Sequence, residues 1–185
     1  MNKQLDHTEF KQSQKHLKNE SIFVLENLEH AENIGSAFRI ADAFNYSKVV
    51  IISQSGFEVE KVRKTARSCE KHIPYEVYKS SQEALESLKK QGYSTIALEI
   101  TSKSKPLRDV NFAKLGKVAL IVGNEKYGVS DYMLENVKGT VHIDMYGNNS
   151  SMNVATALSI AAYKICEDCY NQNKKEYDNG RASNF

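Results

Sequence analysis

The sequence predicts an α/β domain, a mostly parallel sheet flanked by helices, on three observations. Several short runs are continuously apolar and β-branched, such as Lys48-Val-Val-Ile-Ile-Ser53 and Val118-Ala-Leu-Ile-Val122. Strands buried on both faces read this way. These runs alternate along the chain with segments of helical apolar spacing, the pattern of parallel strands joined by helices. No internal repeat and no Pro- or Gly-rich linker divides the interior, and 185 residues suit one domain with a real core.

The elements follow in order. Residues 1–20 are polar, with Lys11, Lys15, His16 and Lys18 clustered, and are expected to form a helical N-terminal extension with a solvated face. Ser21 to Leu25 is the first strand, and Glu26 to Glu32 a polar loop. Asn33 to Phe44 is the first core helix, on the spacing of Ile34, Ala37, Phe38 and Ala41. Gly35 in its first turn permits close approach of another backbone. Arg39 has apolar neighbours, so its guanidinium must leave at the helix edge or meet an anion. Lys48 to Ser53 is the second strand. Glu58 to Cys69 is expected as one charged helix carrying Lys61, Arg63, Lys64 and Arg67, the most basic local surface of the chain. It either tracks phosphates or is a solvated face.

His72 to Tyr78 holds a short strand. Ser81 to Gln91 is amphipathic through Ala84, Leu85 and Leu88, and Gly92 ends it. Ser94 to Ile100 is a strand, broken by Lys103-Ser-Lys-Pro-Leu107. Val118 to Val122 is the most apolar strand. Ser130 to Asn136 is a short helix capped by Ser130. Val141 to Met145 ends a buried strand, and Tyr146 to Ser151 is a polar turn in which Gly147 is free to take positive φ. From Met152 a long helix carries Val154, Leu158, Ala161 and Ile165 on one face and small alanines elsewhere, so it is buried. Ser150 or Ser151 can cap it. Residues 21–166 thus form the domain. Residues 167–185 are a C-terminal tail, expected to fray from Asn171 onward.

Composition narrows the function. A formal net charge of +2 gives no whole-chain footprint for nucleic acid, but leaves room for a local basic patch. No run reaches membrane-spanning length, and neither a signal peptide nor a membrane partner is expected. Three cysteines without disulfide spacing fit a reducing cytoplasm. Cys166-Glu-Asp-Cys169 has metal-like spacing but no second ligand pair, so no metal is expected.

Three strand ends are unusual: Leu98-Glu99, Gly123-Asn-Glu-Lys-Tyr-Gly128 and Ile143-Asp-Met-Tyr-Gly147. Ligands of parallel sheets bind at such ends. No dinucleotide or phosphate-loop fingerprint is present. The glycines suggest backbone cradling of something flat and neutral or cationic. Glu125 is either a buried acid or an ordinary turn carboxylate. Asn148, Asn149, Ser150, Ser151 and Asn153 either hold a polar ligand or only close the turn and cap the helix.

Taken together, Asn33-Ile-Gly-Ser-Ala-Phe-Arg39, Leu120-Ile-Val-Gly-Asn-Glu125-Lys-Tyr-Gly-Val, and Ile143-Asp-Met followed by Ser151-Met-Asn153-Val-Ala resemble the SpoU-type (TrmH-like) branch of the SPOUT RNA methyltransferases. The resemblance covers Ser21 to Ile165. It implies a sheet with a C-terminal trefoil knot, a homodimer with shared sites, and S-adenosylmethionine as cofactor. It implies methyl transfer to a ribose 2′-hydroxyl of tRNA or rRNA, tRNA favoured. Asn33, Arg39, Glu125, Ser151 and Asn153 match the catalytic motif positions. Leu98, Glu99, Gly123, Asn124, Ile143, Met145, Ser151, Met152 and Asn153 would hold the cofactor. Arg39, Lys61, Arg63, Lys64 and Arg67 would contact RNA. Two departures stand out: His30-Ala-Glu-Asn33 where the family often has Pro before the Asn, and Gly147-Asn-Asn-Ser150 before the third motif.

The chemistry has its own logic. Methyl transfer is an in-line displacement in which the protein supplies alignment and electrostatics. An arginine is an awkward base, so Arg39 is expected to grip a phosphate bidentately and stabilise a developing alkoxide. A homodimer is also expected because the first and last helices are apolar on more faces than one sheet covers. Alternatively, the terminal segments supply that cover. Two other classes stay open: a catalytically silent RNA-binding relative, and an unrelated α/β nucleotide enzyme.

Overall fold

The computed structural model describes residues 4–6, 9 and 20–182, and the side chains of these up to residue 172. The expected N-terminal helix therefore lies almost wholly outside the described residues. Among the described residues seven strands form one sheet: β1 (Ile22–Glu26), β2 (Lys48–Ile52), β3 (Tyr75–Tyr78), β4 (Ser94–Leu98), β5 (Lys105–Pro106), β6 (Val118–Val122) and β7 (Gly139–His142). Their order is β3-β2-β1-β6-β4-β7-β5, and every neighbouring pair is parallel.

The continuous apolar runs occupy the middle of this sheet. Ile22, Phe23, Val24 and Leu25 of β1 and Val118 to Ile121 of β6 are all 0% exposed. Alternate residues face two layers. Phe23, Leu25 and Leu120 pack against α1 (Ala31–Ala43) and α5 (Val154–Ala182) through Phe38, Leu158 and Ile165. Ile22, Val24 and Ile121 pack against α3 (Ser81–Lys90) and α4 (Asp131–Asn136) through Leu85, Leu88 and Met133. Helices on both faces are what a fully buried parallel strand requires. Ser80 and Ser130 cap α3 and α4, their side chains accepting from the Glu83 and Met133 N–H groups.

Gly35 has the role its position predicts. A Cβ there would stand 2.1 Å from Thr65 Oγ1 and 2.7 Å from the Ala66 nitrogen. This seats α1 directly on α2 (Arg63–Ala66), and Thr65 Oγ1 donates to the Ala31 carbonyl at 3.1 Å.

Five local expectations change. Glu58 to Cys69 is not one helix: a 3-10 turn at Val59–Lys61 leads into α2, which ends at Arg67 and Ser68, both left-handed (φ 50° and 70°). Only Val62 and Ala66 are buried there, one turn apart, so one turn is all that packing supports. The break after β4 carries the short edge strand β5, where Pro106 needs no N–H partner. Strand β7 ends at His142 rather than Met145. Helix α5 starts at Val154, and its cap is Asn153, not Ser150 or Ser151: Asn153 Oδ1 accepts from the Ala155 and Thr156 N–H groups at 2.9 and 3.2 Å. That helix continues to Ala182, so residues 171–182 of the stretch expected to fray are helical.

Candidate active site

The cleft at the carboxyl ends of β4, β6 and β7 measures about 510 Å³. All three unusual strand ends meet in it. After β4 come Leu98, Glu99 and Ile100; after β6, Gly123, Asn124, Glu125 and Lys126; after β7, His142, Ile143 and Met145. Ser151, Met152 and Asn153 close one side ahead of α5, while His30 and Asn33 of the first motif close another.

The three motifs join in one hydrogen-bonded chain. Glu125 accepts from the Glu29 N–H at 3.0 Å, the His30 N–H at 3.2 Å and Asn33 Nδ2 at 2.8 Å. Asn33 Oδ1 in turn accepts from Asn153 Nδ2 at 3.0 Å. Asn153 spends its own Oδ1 capping α5. The polarity is forced: an ionised carboxylate only accepts, so Asn33 must present its amide nitrogen to it and its oxygen to Asn153. Helix α1 has no side-chain cap of its own from His30. Glu125 fills that role from across the sheet, which is why α1 starts at Ala31, two residues before the expected Asn33. Burial pushes the Glu125 carboxyl upward. The hydrogen bonds from Asn33 and from the Glu29, Glu125 and His30 main chain outweigh it and hold the group below the ordinary glutamate range.

Asn124 ties down the same corner. Its Nδ2 donates to the Asn27 carbonyl at 2.8 Å, and its Oδ1 accepts from the Lys126 and Tyr127 N–H groups at 2.9 and 3.1 Å. Gly123 is required by this turn: a Cβ would stand 2.1 Å from the Gly128 carbonyl carbon and 2.2 Å from the Val129 nitrogen. Glu99 accepts from the Val129 N–H at 3.0 Å and the Ile100 N–H at 2.9 Å. Gly147 takes no positive φ, has open space where a Cβ would go, and does not line the cleft.

Ser151 lines the cleft, exposed and without a hydrogen bond to any described residue. Arg39 does not line it. That side chain is exposed on α1, near Cys69, and has no hydrogen bond or ion pair to a described residue. Burial and Asp42 raise the Cys69 thiol pKa, Arg39 lowering it less, so this thiol is no ready nucleophile. Of the other four basic residues expected to meet RNA, Lys61 pairs with Glu58 at 3.0 Å and Arg63 with Glu60 at 3.2 Å, all well exposed. Lys64 and Arg67 are exposed without such pairs among the described residues.

Sequence reasoning missed His30 and His142 in the cleft wall. It also missed Glu26, which is 1% exposed at the end of β1. Glu26 accepts from the Ser130 N–H at 2.9 Å, from Ser130 Oγ at 2.6 Å and from Ser81 Oγ. It anchors the starts of α3 and α4 to the sheet. His142 Nδ1 lies 2.9 Å from Ser104 Oγ, and Arg108 pairs with Asp144 and donates to Tyr146 Oη at 3.3 Å. These contacts fasten the chain on either side of β5 to the end of β7 and the segment that follows it. A His at the end of an apolar run was the available signal.

Comparison with known proteins agrees with this geometry. The chain is 26% identical over 141 residues to a tRNA (guanosine(18)-2′-O)-methyltransferase of Thermus thermophilus, covering 76% of this chain and 71% of the relative. The solved A. aeolicus TrmH/SpoU tRNA modifying enzyme superposes with a TM-score of 0.75 at 23% identity, covering 86% of this chain and 79% of that one. The SpoU methyltransferase AviRb from Streptomyces viridochromogenes, solved with AdoMet, gives 0.75 at 20% identity, covering 84% and 63%. The sequence model of the SpoU rRNA Methylase family matches residues 20–163, and the chain belongs to that family.

Proposed function

We propose that the protein transfers a methyl group from S-adenosylmethionine to a ribose 2′-hydroxyl of RNA, tRNA favoured over rRNA. The carrying observation is the Glu125–Asn33–Asn153 chain, which joins all three family motifs at the mouth of one cleft. The tRNA preference rests on the name of the Thermus relative.

The cleft suits the cofactor. Its volume is that of a small-molecule site. Leu98, Ile143, Met145 and Met152 give it apolar walls for a flat heterocycle, while Glu99 and Glu125 favour a cation and disfavour a polyphosphate. Main chain near Leu98, Gly123, Ile143, Met145 and Met152 would hold it, with Glu99 and Asn124 shaping the floor. When bound, S-adenosylmethionine supplies an electrophilic methyl carbon.

The protein's residues then align the hydroxyl and manage its proton. Glu125 is a holder rather than the base: its oxygens already accept three hydrogen bonds, and its low pKa makes it a poor proton acceptor. Asn33 and Asn153 pass that rigidity to the start of α5, beside Ser151, whose free hydroxyl is available to the ribose. Arg39 grips the phosphate beside the target ribose and stabilises the negative charge that develops on the 2′-oxygen as the methyl group is transferred and the proton leaves to solvent. Lys64 and Arg67 extend that contact to neighbouring phosphates.

Arg39 stands outside the cleft of its own chain, which supports a homodimer in which the partner's Arg39 completes each site. Ile160 and Tyr163 of α5 are 41% and 58% exposed, an apolar surface for such an interface. The insertion of β7 between β4 and β5, joined by only residues 99–104, supports the trefoil knot. Among the described residues no helix is long and apolar enough to cross a membrane; an RNA substrate supports a cytoplasmic location.

The test is methylation mapping. Total RNA from a strain lacking the gene should lose one or more 2′-O-methyl sites, and the purified protein with S-adenosylmethionine should restore them. Identical maps, with no methyl incorporation by protein that binds the cofactor, would contradict the assignment.

A further inference from the structure

A second cleft, of about 580 Å³, opens at the carboxyl ends of β1 and β2. It shares a wall with the first, one helical turn thick. His30 and Asn33 face the methyl-transfer cleft, whereas Glu29, Ala31 and Ile34 face the second. No step proposed above uses it.

Its lining has two characters. Leu28, Ile34, Ile51, Val62 and Phe57 give an apolar floor. Phe57 is half-buried and meets Tyr75 edge-on, with ring centroids 5.6 Å apart, so the ring is held in place. The rim is hydrogen-bonding and on balance acidic, through Glu29, Gln54, Glu58 and the Lys61 that pairs with Glu58. Gln54 is exposed and makes no hydrogen bond to a described residue. Glu29 uses one carboxylate oxygen on Asn124 at 3.2 Å, and Glu58 one on Lys61 at 3.0 Å, leaving each an acceptor to spare. With Glu58 paired to Lys61, the charge left on the rim is that of Glu29, which disfavours a phosphate. An aromatic floor with an acceptor rim instead suits a flat heterocycle bearing N–H donors, the way unpaired RNA bases are read.

We propose that this second cleft takes an unstacked nucleobase of the RNA, one presenting N–H donors at its edge, with guanine offering two side by side to a carboxylate. The inference rests on the methyl-transfer reading and extends it to substrate selection. The shared wall makes the two sites act together. Asn27 is left-handed (φ 54°), its N–H donating to the Ile52 carbonyl at 2.9 Å and its carbonyl accepting from Asn124. Glu29 and His30, two and three residues on, donate their N–H groups to Glu125. A base seated on this segment is therefore in register with the ribose beside Glu125 and Asn33.

The experiment is an amide NMR titration of the full chain, saturated with S-adenosylhomocysteine, using guanosine 5′-monophosphate and, as a base-free control, ribose 5-phosphate. Guanosine monophosphate should shift amides of residues 27–29 and 53–58, and ribose 5-phosphate should not. Ser55→Trp, at an exposed rim position outside the first cleft, should abolish those shifts. It should raise KM for RNA at least about fivefold, with kcat and S-adenosylmethionine affinity within about twofold. Gln54→Ala, also exposed, gives a milder version of the same pattern. Shifts confined to the first cleft, equal shifts with ribose 5-phosphate, or an unchanged KM in folded Ser55→Trp would overturn the inference. So would dissociation of an oligomer by Ser55→Trp, which would make this face a contact between copies. Base-dependent shifts here in a protein that methylates no RNA would keep the base site and sink the methyl-transfer reading, so the two can fail separately.

Discussion

Arg39 and Glu125 carry opposite duties, and their surroundings separate them. Arg39 is exposed and uncommitted, as a group waiting for an anion would be. Arg39→Ala is expected to abolish methyl transfer while S-adenosylmethionine affinity, read by calorimetry, stays within a few-fold; retained turnover would remove Arg39 from the mechanism. Arg39→Lys should fail largely as well, because an ammonium cannot reproduce a planar bidentate grip. Glu125 is committed to the α1 N-terminus, where its negative charge is favoured. Its folded pKa lies below its unfolded one. Its contribution to stability is therefore complete above the unfolded value and is lost as pH falls through the folded one. Glu125→Gln should lower Tm at neutral pH. The gap from the wild type should close on acidification below about pH 4, where the carboxylate protonates. A gap independent of pH would mean that the charge does no capping.

At the scale of elements, the loop after β6 is the most tightly specified. Gly123 was expected to leave room for a ligand, and the structure gives a nearer reason: the Gly128–Val129 backbone fills the space of its Cβ. Gly123→Val must therefore displace the 124–128 turn, and with it Asn124 and Glu125. S-adenosylmethionine binding should weaken at least about tenfold, on the order of 1.4 kcal/mol, in a protein that still melts cooperatively; unchanged affinity would move the cofactor away from this turn. The same contrast explains what was legible in the sequence. The strands were readable because Lys48 to Ile52 and Val118 to Val122 are apolar at every position, and α3 because Ala84, Leu85 and Leu88 form a stripe bounded by Ser80 and Gly92. The 58–69 segment was not, because its charge pattern resembles a solvated helix while only Val62 and Ala66 are buried. Nor was the cap of α1, since Glu125 lies 92 residues from Asn33 and no local signal joins them. Asn153 was singled out for its type, but its neighbours Ser150 and Ser151 hid its role as the cap.

For the whole molecule, one chain assembles a cleft and its supporting hydrogen bonds but leaves Arg39 outside. The family resemblance placed these residues in one site; the sequence alone gave no distance between them. The proposed methyl-transfer site is divided between two copies, with the Glu125–Asn33–Asn153 chain in one and the phosphate-gripping Arg39 in the other. Mixing an Arg39→Ala protein with an Asn153→Ala protein, each inactive alone, tests it most directly. After verified subunit exchange, each mixed dimer has one site with both lesions and one intact, so activity should return to up to about a quarter of the wild-type value. No recovery, or a monomeric mass with full activity in the wild type, would mean that each site is built within a single chain.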